Sequence, residues 1–293
     1  MAFAVMTDTS GNLPSRLLRE RNIAVIPFSY YIDGREYQQL DTEKFDAESF
    51  YSRIRSGLRV TTSQIIPQRS RDEFEPVLQK GKDVLFVSMS SGISGSCYSA
   101  QLAAEELKEE YPERRIEVID TLGASLGEGL VALRAAVLRD RGETAPAAAE
   151  KLRALSNRMF NVFTVDDLMH LKRGGRLSNL SAAVGFVLNI KPILKGNENG
   201  NIVSFAKLRG RKHAIRALAD WYDRLAVKPE EQIVGIAQAG CREDAAYLAE
   251  LLRKNRPPKE ILTVEYEPVT GSYVGPGALA LFFESEDGVR FVS

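Results

Sequence analysis

Short apolar runs alternate with stretches of helical spacing through the first half of the chain. Phe3–Thr7, Ile23–Ser29, Val84–Met89 and Ile116–Asp120 read as strands, and Val84–Met89 is apolar enough to be buried on both faces. Between them, Leu13–Arg21, Phe45–Ile54, Cys97–Tyr111 and Leu126–Leu138 read as helices. Pro14 suits a first helical turn, and Ala100, Ala103, Leu107 and Tyr111 share one stripe. Such alternation predicts a parallel sheet with crossover helices.

After the turn Asp140–Thr144 and a helix over Ala145–Arg158 the pattern changes. Asn161–Val165 reads as a strand, followed by helical stretches around Leu168–Lys172 and Leu180–Leu188. Lys191–Leu208 holds two strand-like runs around a GNENGN turn, a hairpin signal and hence antiparallel pairing. Helices over Arg211–Leu225 and Arg242–Arg253 alternate with strands over Ile233–Ala237, Ile261–Tyr266 and Leu279–Glu284. The expected architecture is α/β in two domains. Residues 1–158 form a parallel-sheet, Rossmann-like domain, and residues 159–293 an α/β domain with a mixed or antiparallel sheet.

Composition narrows the function. Lys and Arg number 39 against 39 Asp and Glu, and this balance argues against a general nucleic-acid binder or a polybasic membrane anchor. Cys97 and Cys241 form no CxxC pair and read as small buried or half-buried thiols in a reducing compartment. His170 and His213 alone cannot build a multi-histidine metal site, so no metal is expected. No run reaches the roughly 18 apolar residues of a membrane span. Met1–Asp8 lacks the basic start and long apolar core of a signal peptide, so the expected location is the cytoplasm.

Hydroxyls and glycines collect where the first-half strands end. The segments are Thr7–Gly11, Ser88–Ser96 and Asp120–Ser125, with Val60–Gln64 a further candidate. In a parallel sheet the carboxyl ends of the strands lie on one side, where ligands bind, so these loops should converge. Ser90–Ser96 runs into the helix near Cys97, and a helix N-terminus favours an anion. Few cations sit in these loops, which suits a singly charged carboxylate better than a triphosphate. Helix caps and turns use the same residues. The chain has no GxxxxGK[ST] and no GxSxG, and Gly123–Gly129 is not GxGxxG. In the second half, Lys172, Arg173 and Arg176 surround Gly174 and Gly175, as a helix C-cap or an anion contact. Gly271–Ala278 makes a tight turn. Leu180–Ile193 is apolar almost all round, as core or as a slot for an apolar ligand.

Taken together, the segments TDTSGNLP, VTTSQIIP, SMSSGISGSCYSA, DTLGASLGEG, DDLMHLKRGGRLS, NIKPILKGNENG, LRGRKHAI and GPGALALFF resemble the DegV family of bacterial lipid-binding proteins, in order and from end to end. The resemblance implies a protein that binds one long-chain fatty acid, such as palmitate, stearate or oleate, between two domains. It implies the fatty-acid-binding subunit of a fatty-acid kinase. A separate kinase subunit moves phosphate from ATP to the carboxylate, making acyl-phosphate for phospholipid synthesis. The resemblance further implies that the binding subunit needs no cofactor and is a monomer. Carried onto this chain, the resemblance gives Thr62, Ser63, Ser94 and Gly95 to the carboxylate and Arg176 to phosphotransfer. The acyl slot is expected from Ile65, Phe163, Leu168, Phe186, Leu188, Ile190, Leu279 and Phe282. Where the family often has a histidine, two residues before the GPG turn, this chain has Tyr273, a possible phosphate contact that is neutral at working pH. Lys207, Arg209, Arg211 and Lys212 form a basic run suited to an acidic partner surface. The competing readings are a small-anion or phosphometabolite binder, and a stand-alone acyl or phosphoryl transferase. The transferase needs His170 or His213 as a base near Ser94.

Overall fold

The computed structural model describes residues 3–177 and 189–291. In chain order the first elements are β1 (Phe3–Asp8), α1 (Ser15–Glu20), β2 (Ile23–Ile26), β3 (Ser29–Ile32), β4 (Arg35–Tyr37), α2 (Ala47–Arg55) and β5 (Val60–Ser63). Then come α3 (Pro67–Gln79), β6 (Asp83–Ser88), α4 (Ser96–Glu110), β7 (Ile116–Asp120), α5 (Leu126–Asp140) and α6 (Ala145–Arg158). The rest are β8 (Met159–Thr164), α7 (Met169–Arg173), β9 (Ile190–Gly196), β10 (Ile202–Arg209), α8 (Arg211–Leu225), β11 (Ile233–Gln238), α9 (Arg242–Asn255), β12 (Glu260–Glu265), α10 (Pro268–Val274) and β13 (Leu279–Glu284).

Two sheets carry the fold. The first, in order β2-β1-β6-β7, is parallel throughout, as crossover helices require. Its central strand β6 is buried along its whole length, matching its unbroken apolar run. The second, β10-β9-β8-β13-β11-β12, is antiparallel except for the β11–β12 pair. A third, small sheet, β4-β3-β5, is antiparallel.

The small sheet departs from the sequence expectation. Ile23–Ser29 is not one strand: the chain leaves the first sheet after Ile26 and enters the small sheet at Ser29. Pro27 lies at the break, where its missing N–H cannot continue a ladder. Pro14 precedes α1 rather than opening its first turn. Helix α3 left no clear periodic signal because only Ser70, Phe74 and Leu78 are buried on it, a stripe one residue wide. The expected helix over 180–188 lies outside the described residues.

Helix α5 packs on β1 and β6 on one side and on β8, β11 and β13 on the other. Its sequence explains how: Leu126 to Leu133 is buried without a break, and Ala135, Ala136 and Leu138 follow. A helix apolar nearly all round is stable only when covered on all sides. Each large aliphatic side chain so buried contributes about 1.5–3 kcal/mol. One core therefore runs from Phe3 and Val87 through α5 to Phe163 and Phe282, across both large sheets. A second core fills the far side of the mixed sheet, beneath α8 and α9.

Glycines set how closely α5 approaches. A methyl at Gly129 would lie 2.3 Å from the Gly11 carbonyl oxygen. Gly129→Ala is therefore expected to destabilise the protein by about 1–3 kcal/mol through overpacking, although alanine is the better helix former. Urea denaturation checks this, and an unchanged midpoint would contradict it.

Candidate functional site

A cavity opens where the loops after β6 and β7 face the mixed sheet, α7 and α10. The space inside it, its open mouth included, comes to about 1010 Å³, and the centre of a water molecule fits in about 170 Å³ of that. Its walls are largely apolar: Phe28, Met89, Ile93, Phe163, Leu171, Ile202, Val269, Val274 and Phe282 all contribute. Arg176 is the one charged side chain among the described lining residues.

Hydroxyls gather around that cation. Thr62 Oγ1 and the Tyr273 hydroxyl are 2.7 Å apart. The Arg176 guanidinium stacks over the Tyr273 ring, 4.7 Å from its centroid. Arg176 Nε donates to the Ile93 carbonyl at 3.1 Å and Nη1 to the Gly174 carbonyl at 2.5 Å. Two carbonyls orient this arginine and leave its positive charge without a carboxylate among the described residues. Ser94 Oγ accepts the Ser96 N–H at 3.3 Å and lies 3.0 Å from Ser96 Oγ, so it caps α4 as well as lining the cavity. A methyl at Gly95 would meet Gln64 Oε1 at 2.2 Å, so a larger residue there would push the Gln64 side chain aside.

The loops meet through their backbones. The Ser90 N–H donates to the Gly123 carbonyl at 2.8 Å, and Thr121 Oγ1 donates to the Ser88 carbonyl at 2.8 Å. Ser96 Oγ accepts the Ile65 N–H at 3.0 Å, tying β5 to the start of α4. The loops after β6 and β7 line the cavity, whereas Thr7–Gly11 does not. That first loop lies against α5 instead.

Beneath it sits a buried acid pair. Asp8 Oδ1 accepts the Ser10 N–H at 2.8 Å, and Oδ2 accepts the Met89 N–H at 3.2 Å. Ser10 Oγ lies 2.5 Å from Asp8 Oδ1 and 2.6 Å from Glu128 Oε2. Thr7 Oγ1 donates to Glu128 Oε1 at 2.8 Å. A hydroxyl carries a single proton, so Ser10 cannot donate to both carboxylates. One carboxyl must hold a proton, and Asp8, with two backbone donors, is the better anion. Burial, and then the Asp8 charge, push Glu128 well above the usual carboxylate range; burial raises Asp8 too. The resulting chain is Glu128 O–H to Ser10 O–H to Asp8. Glu267 is a third buried acid, capping α10 through the Val269 and Thr270 N–H groups and pushed up by burial to about 7.

Of the residues expected at the site, Thr62, Ser63, Ser94, Gly95, Phe163, Arg176, Tyr273 and Phe282 line this cavity. Leu279 does not. It is three positions from Phe282, and alternation puts it on the opposite face of β13, in the core under α8 and α9. Ile65 is buried in the main core behind the lining. Leu168 packs beside that core, and Leu171, one turn further along α7, lines the cavity in its place. Ile190 opens β9 away from the cavity. Phe186 and Leu188 lie outside the described residues. In the basic run, Arg211 is engaged by Asp244 at 2.8 Å and Asp166 at 3.7 Å, while Lys207, Arg209 and Lys212 are exposed. Asn161, Val269 and Thr270 are lining residues that the sequence reading did not single out, whereas Gln64 and Leu122 lie in the strand-end segments it named.

Neither histidine lines the cavity. His213 Nδ1 lies 3.0 Å from the Arg209 carbonyl oxygen, and burial lowers His170. Burial pushes Cys97 up to about 12 and Cys241 up to about 11, so both are protonated thiols. No group of three metal-ligating side chains occurs among the described residues, and no described helix is long and apolar enough to cross a membrane.

Residues 2–286 match a family model described as "Uncharacterised protein, DegV family". A DegV domain-containing protein of Clostridium perfringens is 37% identical over 281 residues, 96% of this chain and 97% of that protein. Among solved structures, the chain is similar to DegV, a fatty acid binding protein from Bacillus subtilis, at 31% identity and a TM-score of 0.84. A DegV family protein from Thermus thermophilus, described for its fatty acid binding, is similar at 30% identity and a TM-score of 0.85. In both, 98% of this chain and 100% of the other are covered.

The buried acid pair carries its own test. In Glu128→Gln the amide can donate to Ser10 and accept from Thr7, so the change should cost less than about 1 kcal/mol at pH 7. In Asp8→Asn an amide N–H must face the Ser10 or Met89 N–H, and the cost should be about 2 kcal/mol or more. Urea denaturation of both variants measures the difference; equal costs would contradict the proton assignment.

Proposed function

The chain belongs to the DegV family, and we propose that it binds one long-chain fatty acid and presents the carboxylate to a partner kinase for acyl-phosphate formation. The carrying observation is the described lining itself: one cation with no carboxylate partner among the described residues, set among hydroxyls at a largely apolar cavity. That pattern fits an amphiphile with one negative charge. The fatty-acid binding described for the Bacillus subtilis and Thermus thermophilus proteins, at 31% and 30% identity, supports the same reading.

Thr62 and Ser94 hydroxyls with the Gly95 N–H hold the carboxylate, next to Ser63. These groups replace the hydration of the carboxylate, and the Arg176 guanidinium, stacked on the Tyr273 ring beside Thr62, balances its charge. The acyl chain lies along Phe163, Phe282 and their apolar neighbours. About fifteen buried methylenes at about 0.8 kcal/mol each gain on the order of 10 kcal/mol before ordering costs. Arg176, held by two carbonyls and the Tyr273 ring, stabilises charge as phosphate arrives from the kinase. Residues 1–158 and 159–293 act as the two domains around the ligand, in a cytoplasmic monomer. A single cation among the described lining residues fits a phosphometabolite poorly, and with His170 and His213 both outside the lining a stand-alone transferase has no histidine base near Ser94.

Thr62→Ala combined with Ser94→Ala should weaken stearate binding at least about tenfold while the denaturation midpoint barely moves. Arg176→Ala should weaken stearate binding without abolishing it, and lose acyl-phosphate formation with the kinase and ATP. Undiminished stearate affinity in the double variant would overturn the carboxylate assignment.

A further inference from the structure

A groove lies toward the other end of α5. The loop that leads into this helix walls the first cavity, whereas the groove is lined by α5 residues from Leu130 to Arg141. No described residue lines both. The space in the groove, its open mouth included, comes to about 1650 Å³, and the centre of a water molecule fits in about 570 Å³ of that. Leu130, Leu133 and Val137 run along it on α5, and Leu17, Ile233 and Leu262 complete the apolar lining from α1, β11 and β12. At 1.5 Å per residue, the stretch from Leu130 to Arg141 is about 16 Å long. Leu130 is 7% exposed and Leu133 8%. A partner helix would find little apolar surface to bury on such a floor, while an alkyl chain needs only a slot.

The rim carries excess positive charge. Five cations line the groove, Arg21, Arg134, Arg141, Lys228 and Lys259, against the acids Glu231, Glu260 and Glu284. Lys228 engages Glu231 at 3.3 Å, and Glu284 is engaged by Arg158 at 2.8 Å and Arg134 at 3.6 Å. Arg21, Arg141 and Lys259 are exposed and have no acidic partner among the described residues, where Glu260 is the one lining acid left unpaired. Arg139 donates to the Asn22 and Arg21 carbonyls at 2.9 and 2.7 Å, which joins the end of α1 to the end of α5. Arg21 and Arg141 follow those two helices directly, so both stand at one end of the groove. An apolar slot with two unpaired guanidinium groups at its end matches a ligand with one alkyl chain and one anionic head.

We propose that this groove is a second binding site, for a fatty acid whose chain lies along α5 and whose carboxylate sits between Arg21 and Arg141. It rests on the groove alone and holds whatever the first cavity takes. Its cations face water and are screened, so the site is weaker than the cavity and fills only when fatty acid is in excess.

Equilibrium dialysis of stearate-saturated protein against laurate, kept below its micellar concentration, counts both lipids. One laurate per chain should bind with the stearate retained. Arg21→Gln combined with Arg141→Gln should weaken laurate at least about tenfold and leave stearate affinity unchanged. Dodecanol, the same chain without the charge, should bind wild type at least about tenfold more weakly than laurate. Both arginines are exposed, and an unchanged urea midpoint checks that the variant folds. Laurate that only displaces stearate, with no second equivalent, overturns the proposal. Laurate binding undiminished in the variant overturns it too, since the arginines then serve only their helix ends, and so does dodecanol bound as tightly as laurate. A chain that holds no stearate is a different result: it removes the fatty-acid reading of the cavity, and the laurate and dodecanol arms still decide the groove.

Discussion

Helix α5 has to be buried on two sides at once, and much of the molecule follows from that constraint. Its apolar residues join the parallel sheet to the mixed sheet in one continuous core. Its glycines allow the contact: Gly129 faces the Gly11 carbonyl, and Gly127 faces Asn161 and Phe282. Its one early acid, Glu128, goes into that core with it and is held neutral by burial and by Asp8. The start of α5 is packed on both sides, and the preceding loop, Leu122 to Ser125, forms a wall of the cavity.

Much of this was legible in the chain. Period-two and period-3.6 patterns place the four parallel strands and most helices, because those elements bury one broad face or both, while the GNENGN turn places the β9–β10 hairpin although β10 buries no residue fully. Elements with little to bury were not legible. Strand β4 is exposed throughout and α3 buries a single stripe. The site was legible as hydroxyl- and glycine-rich strand ends, and the described lining brings Thr62, Ser94, Arg176 and Tyr273 together. Residue by residue, the apolar wall was less so. Leu279 and Phe282 were grouped by composition, although a strand sends them to opposite faces. Pairings across long separations, such as Ser10 with Glu128, leave no mark in local periodicity.

The chemistry of the cavity is set by how little charge its described lining holds. A guanidinium fixed by the Ile93 and Gly174 carbonyls is pre-oriented at little entropic cost, and it remains free to balance a ligand's charge. The Thr62–Tyr273 contact joins the small sheet to α10, so the hydroxyl cluster spans elements that the chain brings together only on folding. The buried acids lie outside the lining, where they fix backbone N–H groups: Asp8 that of Met89, and Glu267 those at the start of α10. The buried acids thus order the backbone from behind, outside the described lining.

Native mass spectrometry of the purified protein, followed by solvent extraction of what it carries, tests the central claim most directly. The account predicts one long-chain fatty acid per chain, released on denaturation. A chain that is empty as purified, and stays empty after incubation with palmitate, stearate and oleate, would contradict it.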